Sequence, residues 1–235
     1  MITSISNKTG KLILVATPIG NLGDMSQRAV DAIENASVVF AEDTRRTAKF
    51  VTETKRLYSY HDHNVAGRLP QLKEFLENGL TVALVSDAGM PGISDPSFKA
   101  VRIALQEGFQ IEVIPGPTAV TTALVGSGLP VDRFAFEGFL PRKVGARKKR
   151  LEEMSPYIGS IVYFIGPHHL QKYLGEMQGI FGNRPVCVAR EMTKVHEEYI
   201  RGNISDVIGR FSERKVRGEI TIVVGGKELH EDYFD

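Results

Sequence analysis

The sequence predicts an α/β protein of two α/β domains, the first built on a parallel sheet and the second on a mixed one. Two observations carry the α/β part of that expectation. Apolar runs of strand length alternate with segments of helical period from Lys11 onward. The alternation breaks once, at Gly126-Ser127-Gly128-Leu129-Pro130, which puts the domains at residues 1–127 and 128–235. With 235 residues, the chain can bury two modest cores.

Each element has a local cause. Lys11 to Thr17 reads as a buried strand closed by Pro18 and Gly20. Asp24 or Ser26 caps a helix whose Met25, Ala29, Ala32, Ile33 and Ala36 share one face. Val38–Ala41 and Thr81–Val85 are strands. Ser94 or Asp95 starts a helix with Pro96 in its first turn, an apolar stripe of Phe98, Val101, Ala104 and Leu105, and Gly108 just past its end. Strand Ile111–Ile114, the turn Pro115-Gly116-Pro117 and a small-residue helix from Thr118 to about Ser127 follow. Strand–helix alternation of this kind makes a parallel sheet covered on both faces. Beyond the break come strand Phe134–Glu137, a basic helix, strand Ser160–Ile165, a helix from Pro167 to Phe181 and strand Pro185–Arg190. The last two strands, His196–Arg201 and Ile220–Val224, lie close in sequence and make this half mixed. The acidic tail from Glu228 is expected to be mobile.

Composition narrows the function. Hydrophobic residues at 42% and charged residues at 24% fit a globular protein, and a net charge of +1 means that nucleic acid could be held only by a local patch. The single cysteine, Cys187, rules out a disulfide framework and reads as a buried thiol. The start, Met1 to Gly10, is polar, without the apolar stretch of a signal peptide. No apolar run reaches the roughly 18 residues a membrane helix needs. A reducing cytosol is the expected compartment.

Ligands of open α/β sheets bind beyond the carboxyl ends of the strands. Three such ends carry polar, turn-rich loops here: Thr17 to Asp24, Ser86 to Pro96, and Pro115 to Ala119. The first is neither G-x-G-x-x-G nor a P-loop with its lysine, which disfavours a nicotinamide or nucleoside-triphosphate site. The second spans eleven residues where a helix cap needs one or two. Each taken alone could be a rigid turn; three on one edge point to a ligand cleft. A fourth strand end, Glu42-Asp43-Thr44-Arg45-Arg46, sets two acids beside two arginines, although Asp43 or Thr44 could simply cap a helix. Tyr58 to Asn64 carries aromatics with His61 and His63; without a third ligand, a rim that stacks a base is preferred to a metal site, and no metal is expected. The strongest charge feature is Arg142-Lys143-Val144-Gly145-Ala146-Arg147-Lys148-Lys149-Arg150, six cations in nine residues, suited to a phosphate backbone or else a solvated helix face.

Together these segments resemble the tetrapyrrole methylase superfamily of S-adenosylmethionine-dependent enzymes, over about Lys11 to Gly226. The markers are Ala16-Thr17-Pro18-Ile19-Gly20-Asn21, Ala41 to Arg45, Ser86-Asp87-Ala88-Gly89, Ile114 to Pro117, Gly138-Phe139-Leu140-Pro141, Ala189 to Lys194, and Gly218-Glu219. Within the superfamily they are most similar to the branch that methylates the 2′-oxygen of a decoding-region cytidine in 16S rRNA. The resemblance implies a cofactor, S-adenosylmethionine, in a cleft between two α/β domains, a homodimer, and 16S rRNA or the small ribosomal subunit as partner. The cofactor contacts it implies are Pro18, Ser86, Asp87, Ala88, Ile93, Thr118, Ala119, Ile165 and Met192. Glu42 and Asp43 are then candidates for proton removal, with Arg45 orienting phosphate or hydroxyl. Arg142, Lys143, Arg147, Lys148, Lys149 and Arg150 are the candidate RNA contacts. One segment departs: Ile165-Gly166-Pro167-His168-His169 stands where the branch leads one to expect Glu-Ser-Pro-His-Arg. The alternatives are a superfamily methylase of tetrapyrrole precursors or protein side chains, and a non-catalytic RNA-binding or assembly factor.

Overall fold

A computed structural model describes residues 9–51 and 55–234, so most of the polar start read above lies outside the described residues. The chain divides into two compact units, residues 1–118 and 119–235.

In the first unit, β1 (Lys11–Val15), β2 (Val38–Ala41), β3 (Arg56–Ser59), β4 (Thr81–Val85) and β5 (Gln110–Ile114) form a wholly parallel sheet in the order β3-β2-β4-β1-β5. The period of two explains its two cores. Leu12, Leu14, Val38, Phe40, Val82 and Leu84 face one side, under α3 (Val65–Glu77) and α4 (Ser97–Glu107). Ile13, Val15, Val39, Ala41, Ala83 and Val85 face the other, under Ala29 and Ile33 of α1 (Gln27–Asn35). Both faces are apolar because both are covered. Ser26, not Asp24, caps α1, its hydroxyl accepting from the Ala29 N–H at 3.2 Å.

The second unit holds β6 (Phe134–Phe139), β7 (Ser160–Ile165), β8 (Pro185–Arg190), β9 (Glu198–Asn203) and β10 (Ile220–Val224) in the order β6-β7-β10-β8-β9. Only β6 and β7 run parallel, so the sheet is mixed, as the sequence predicts. Its core gathers Leu151 of α6 (Val144–Met154), Leu174 and Met177 of α7 (Leu170–Phe181), and Val207 and Phe211 of α8 (Ile204–Phe211). The division between units falls ahead of α5 (Ala119–Ser127), where the sequence reading put it after. Physically, α5 packs on β8, β9 and β10. Cys187 is buried in β8, and burial pushes its thiol up to about 11, away from thiolate chemistry. The tail is tied down rather than loose: the Tyr233 hydroxyl donates to the Gly128 carbonyl at 2.9 Å. No described helix is long and apolar enough to cross a membrane.

Candidate active site

Because all five strands of the first sheet are parallel, the loops after β1, β2, β4 and β5 emerge at one edge. Hydrogen bonds stitch three of them together. Thr17 and Gly89 exchange both backbone bonds at 3.0 Å, a single antiparallel bridge between the β1 and β4 loops. The Thr17 hydroxyl donates to the Ser86 carbonyl at 3.1 Å, and the Ser86 hydroxyl to the Gly89 carbonyl at 2.8 Å. Ser86 therefore spends its hydroxyl proton on shaping the loop. The Ala16 N–H donates to Ile114 at the end of β5. Asp95 closes the long loop: its carboxylate accepts from the Gly92 N–H at 2.9 Å and the Ser97 N–H at 2.8 Å, which also starts α4. Pro96 occupies the N-cap position itself, so the first-turn N–H is met by Asp95 one residue earlier and not by Ser94, which sits at φ 66°.

Gly89 is the pivot of this cluster. Its φ is +83°, and a Cβ there would stand 3.3 Å from both the Pro117 carbonyl oxygen and an Ile19 methyl. Gly89→Ala is expected to cost about 1–2 kcal/mol of stability from the left-handed backbone alone. Urea unfolding checks this, and an unchanged midpoint would contradict it.

At the end of β2, Asp43 caps the four-residue helix α2 (Thr44–Thr47), accepting from the Arg45 N–H at 2.9 Å. The same carboxylate takes two bonds from the Arg45 guanidinium, at 3.0 and 2.7 Å. These bonds hold Asp43 down at about 2. Glu42 behaves oppositely. Burial, then the nearby Asp87 charge, raises its carboxyl above the ordinary glutamate range. Glu42 accepts from the Asp87 N–H at 3.4 Å, and Asp87 accepts from the Asp43 N–H at 2.7 Å. Two candidate bases that the sequence left equal thus differ in direction: the Glu42 carboxyl is shifted up and the Asp43 carboxyl down.

Arg45 is mostly exposed and committed to Asp43. The arginine that reaches the β4 loop is Arg46, 3.7 Å from the Asp87 carboxylate. Arg46 and Lys49 line a cavity of about 180 Å³ together with Thr17, Pro18, Ser86 and Asp87. The sequence placed Arg46 in the acid–arginine cluster but gave the role to Arg45, and it did not single out Lys49; the spacing of three between Arg46 and Lys49 was the available signal.

Of the other expected cofactor contacts, Ala88 and Ile93 are exposed on the β4 loop, and Thr118 follows the Pro-Gly-Pro turn. Ala119 begins α5. Ile165, buried at the end of β7, and Met192, buried just after β8, belong to the second unit.

The basic run is divided by burial. Arg142, Lys143, Lys148 and Lys149 are exposed. Arg147 is 1% exposed: it pairs with Glu176 of α7, donates to the Pro141 and Arg142 carbonyls, and lies 4.4 Å over the Tyr173 ring. Arg147 is therefore a structural residue and not an RNA contact. Arg150 is held by Glu137 and Glu153. The aromatic rim is corrected too: Tyr60 is buried, and Tyr58 stacks on Phe40 in the core. In the divergent segment, His169 stacks on Tyr173 at 5.1 Å and 10°. Among the described residues no group of three or more His, Cys, Asp or Glu is disposed to hold a metal ion.

Known proteins place this geometry. A protein of Thermotoga maritima named ribosomal RNA small subunit methyltransferase I is 43% identical over 93% of this chain and the whole of its own. One of the same name from Bacillus subtilis is 43% identical over 94% of this chain and 77% of its own. Among solved structures, Thermus thermophilus uroporphyrin-III C-methyltransferase complexed with S-adenosyl homocysteine superposes with a TM-score of 0.66 at 18% identity, covering 93% of this chain and 98% of that one. A cobalt precorrin-4 methyltransferase gives 0.69 at 17% identity, covering 92% and 94%. The family model of tetrapyrrole (corrin/porphyrin) methylases matches residues 11–208. The chain belongs to the tetrapyrrole (corrin/porphyrin) methylase family, among the relatives named ribosomal RNA small subunit methyltransferase I.

Proposed function

We propose that the chain is an S-adenosylmethionine-dependent methyltransferase that acts on the ribose 2′-oxygen of a decoding-region cytidine in 16S rRNA, working in the cytoplasm as a homodimer. The observation that carries the reading is the stitched loop cluster, with Glu42, its carboxyl raised above the ordinary glutamate range, and the cationic Arg46 and Lys49 at one strand edge. The names of the relatives supply the acceptor.

The residues suit the cofactor. Exposed Ala88 and Ile93, with half-buried Pro18, offer apolar contact for a purine, and the bridged loops offer backbone groups for ribose and carboxylate. Asp87, Ser86 and Thr118 stand in the same group of loops of the first unit. The bound cofactor supplies an electrophilic methyl on a sulfonium. Contacts that are mostly apolar and backbone leave that charge unclamped, which avoids favouring the ground state over the transition state. Glu42 takes the proton of the ribose hydroxyl. Asp43 stays ionised and fixes Arg45, while Arg46 and Lys49 receive the acceptor's phosphate. Exposed Arg142, Lys143, Lys148 and Lys149 hold RNA further along its backbone.

The test offers labelled S-adenosylmethionine with three acceptors: small ribosomal subunits lacking modification, naked 16S rRNA, and a tetrapyrrole precursor. Label in the rRNA of either of the first two is expected. Label in the tetrapyrrole, or none despite calorimetric cofactor binding, overturns the acceptor.

A further inference from the structure

The second unit contains a basic pocket that the reaction above does not use. It lies between the loop joining β8 to β9 and the loop joining α8 to β10, with a volume of about 290 Å³. Arg190, Arg214, Lys215 and Arg217 line it against a single carboxylate, Glu191, with His196 at its side.

The neighbouring acids are already spent. Glu198 binds Arg190 at 3.0 Å and takes two bonds from Arg214, at 2.6 and 2.9 Å, so these two arginines form a fixed wall. Arg190 also donates to the Arg217 and His196 carbonyls, which ties both loops to the sheet. Glu191 accepts from Lys194 and from the Glu219 N–H, each at 2.8 Å, and Glu197 turns to the Thr193 N–H at 2.6 Å. Among the described residues, no carboxylate pairs with Lys215 or Arg217, and both are exposed.

The backbone beside the pocket is also strained. Glu191 and Thr193 both adopt positive φ, 51° and 67°, a conformation that L side chains avoid and that concentrates at ligand-binding loops. Gly218 makes room for this: a Cβ there would fall 2.5 Å from the Glu191 carboxyl. A fixed wall of paired arginines with two uncommitted cations at the mouth suits an oxyanion whose charge is spread over several oxygens.

We propose that this pocket seats a backbone phosphate of the RNA acceptor, with Lys215 and Arg217 as the neutralising cations and Arg190 and Arg214 as the frame. The inference rests on the RNA-acceptor reading. It adds a contact on the β8–β9 side of the second unit to those on α6.

The test measures binding of the full chain to unmodified small ribosomal subunits over a range of salt. It compares wild type, Lys215→Gln with Arg217→Gln, and a charge-matched control, Lys99→Gln with Arg102→Gln on α4. The pocket variant is expected to bind about tenfold more weakly. Its slope of log affinity against log salt should be shallower by about 0.7–0.9, the value of one phosphate contact. Cofactor affinity by calorimetry stays at the wild-type value, which shows that the fold is intact. If wild type binds and the pocket variant matches the control in affinity and slope, the phosphate seat is wrong and the RNA reading stands. Weaker binding with an unchanged slope also overturns the phosphate assignment. If wild type itself fails to bind, the RNA reading falls and takes this inference with it.

Discussion

Glu42→Gln is expected to lower the single-turnover rate of methyl transfer by about 10²–10⁴-fold, the usual contribution of a positioned base, with cofactor affinity unchanged. The effect follows from the ranking of the two carboxyls. Asp43, held at about 2 by Arg45, is too weak a base, whereas Glu42 sits above the ordinary glutamate range because it is half-buried and faces Asp87. The wild-type rate should therefore climb with pH as Glu42 ionises, and this limb should vanish in the glutamine variant. Stability moves the other way. Glu42 has a higher folded than unfolded pKa, so its contribution falls as pH rises through the raised folded value, and the penalty persists at neutral pH. Glu42→Gln should thus be more resistant to urea than wild type at pH 7 and converge with it below the ordinary glutamate range. An Asp43→Asn variant that loses the pH limb while Glu42→Gln keeps it would reverse the assignment.

Arg147→Met is expected to be the most destabilising change on the basic helix, at about 3–5 kcal/mol, because it strands the partly buried Glu176 carboxylate without its partner. It also removes the guanidinium over Tyr173 and the donors to two loop carbonyls. Glu176 is depressed below its ordinary value by the Arg147 hydrogen bond. The pair's contribution is therefore present above the ordinary glutamate range and lost as pH falls through the depressed folded value. By contrast, Lys148→Gln with Lys149→Gln should shift stability within about 0.5 kcal/mol, while reducing the salt slope of RNA binding by about 1–2. Urea midpoints and salt titrations of the two variants separate these roles. Equal stability losses would contradict the division of the helix into an inward and an outward face.

That division shows what the sequence could and could not reveal. Composition identified the charge run, but burial is decided by helical phase: Arg147 and Leu151, four residues apart, both turn inward. Which acid waits for Arg147 depends on α7, almost thirty residues away, and no local pattern gives it. Strands β1, β2 and β4 were legible because burial on both faces makes them almost uniformly apolar, as in Val38–Ala41 and Thr81–Val85, whereas the more exposed β3 was not read as a strand. Helix α3 was not, since Gly67 and Pro70 interrupt its period while Leu72 and Leu76 are held by the sheet they cover. Helix α8, at eight residues, is too short to stand out. Tyr58 and Tyr60 look like a recognition rim in a list of residue types, yet β3 carries Tyr58 onto Phe40, and Tyr60 follows it into the same core.

At the site, the loops were legible by their length and turn chemistry, and their meeting was not. The pairing of Thr17 with Gly89 joins residues from separate strand ends, and only the strand order β4-β1-β5 brings them together. Arg45 and Arg46 are indistinguishable by type; the short turn of α2 gives one to Asp43 and the other to Asp87. Rank among titratable groups likewise came from environment, since Glu42 and Asp43 are adjacent acids with opposite shifts.

The most direct measurement of the central claim is mass spectrometry of nucleosides from 16S rRNA after one turnover with isotopically labelled S-adenosylmethionine and unmodified small subunits. The labelled methyl is expected on the ribose of a single decoding-region cytidine, arriving about 10²–10⁴-fold more slowly in Glu42→Gln. A labelled methyl on a nucleobase, or on the ribose undiminished by Glu42→Gln, would contradict it.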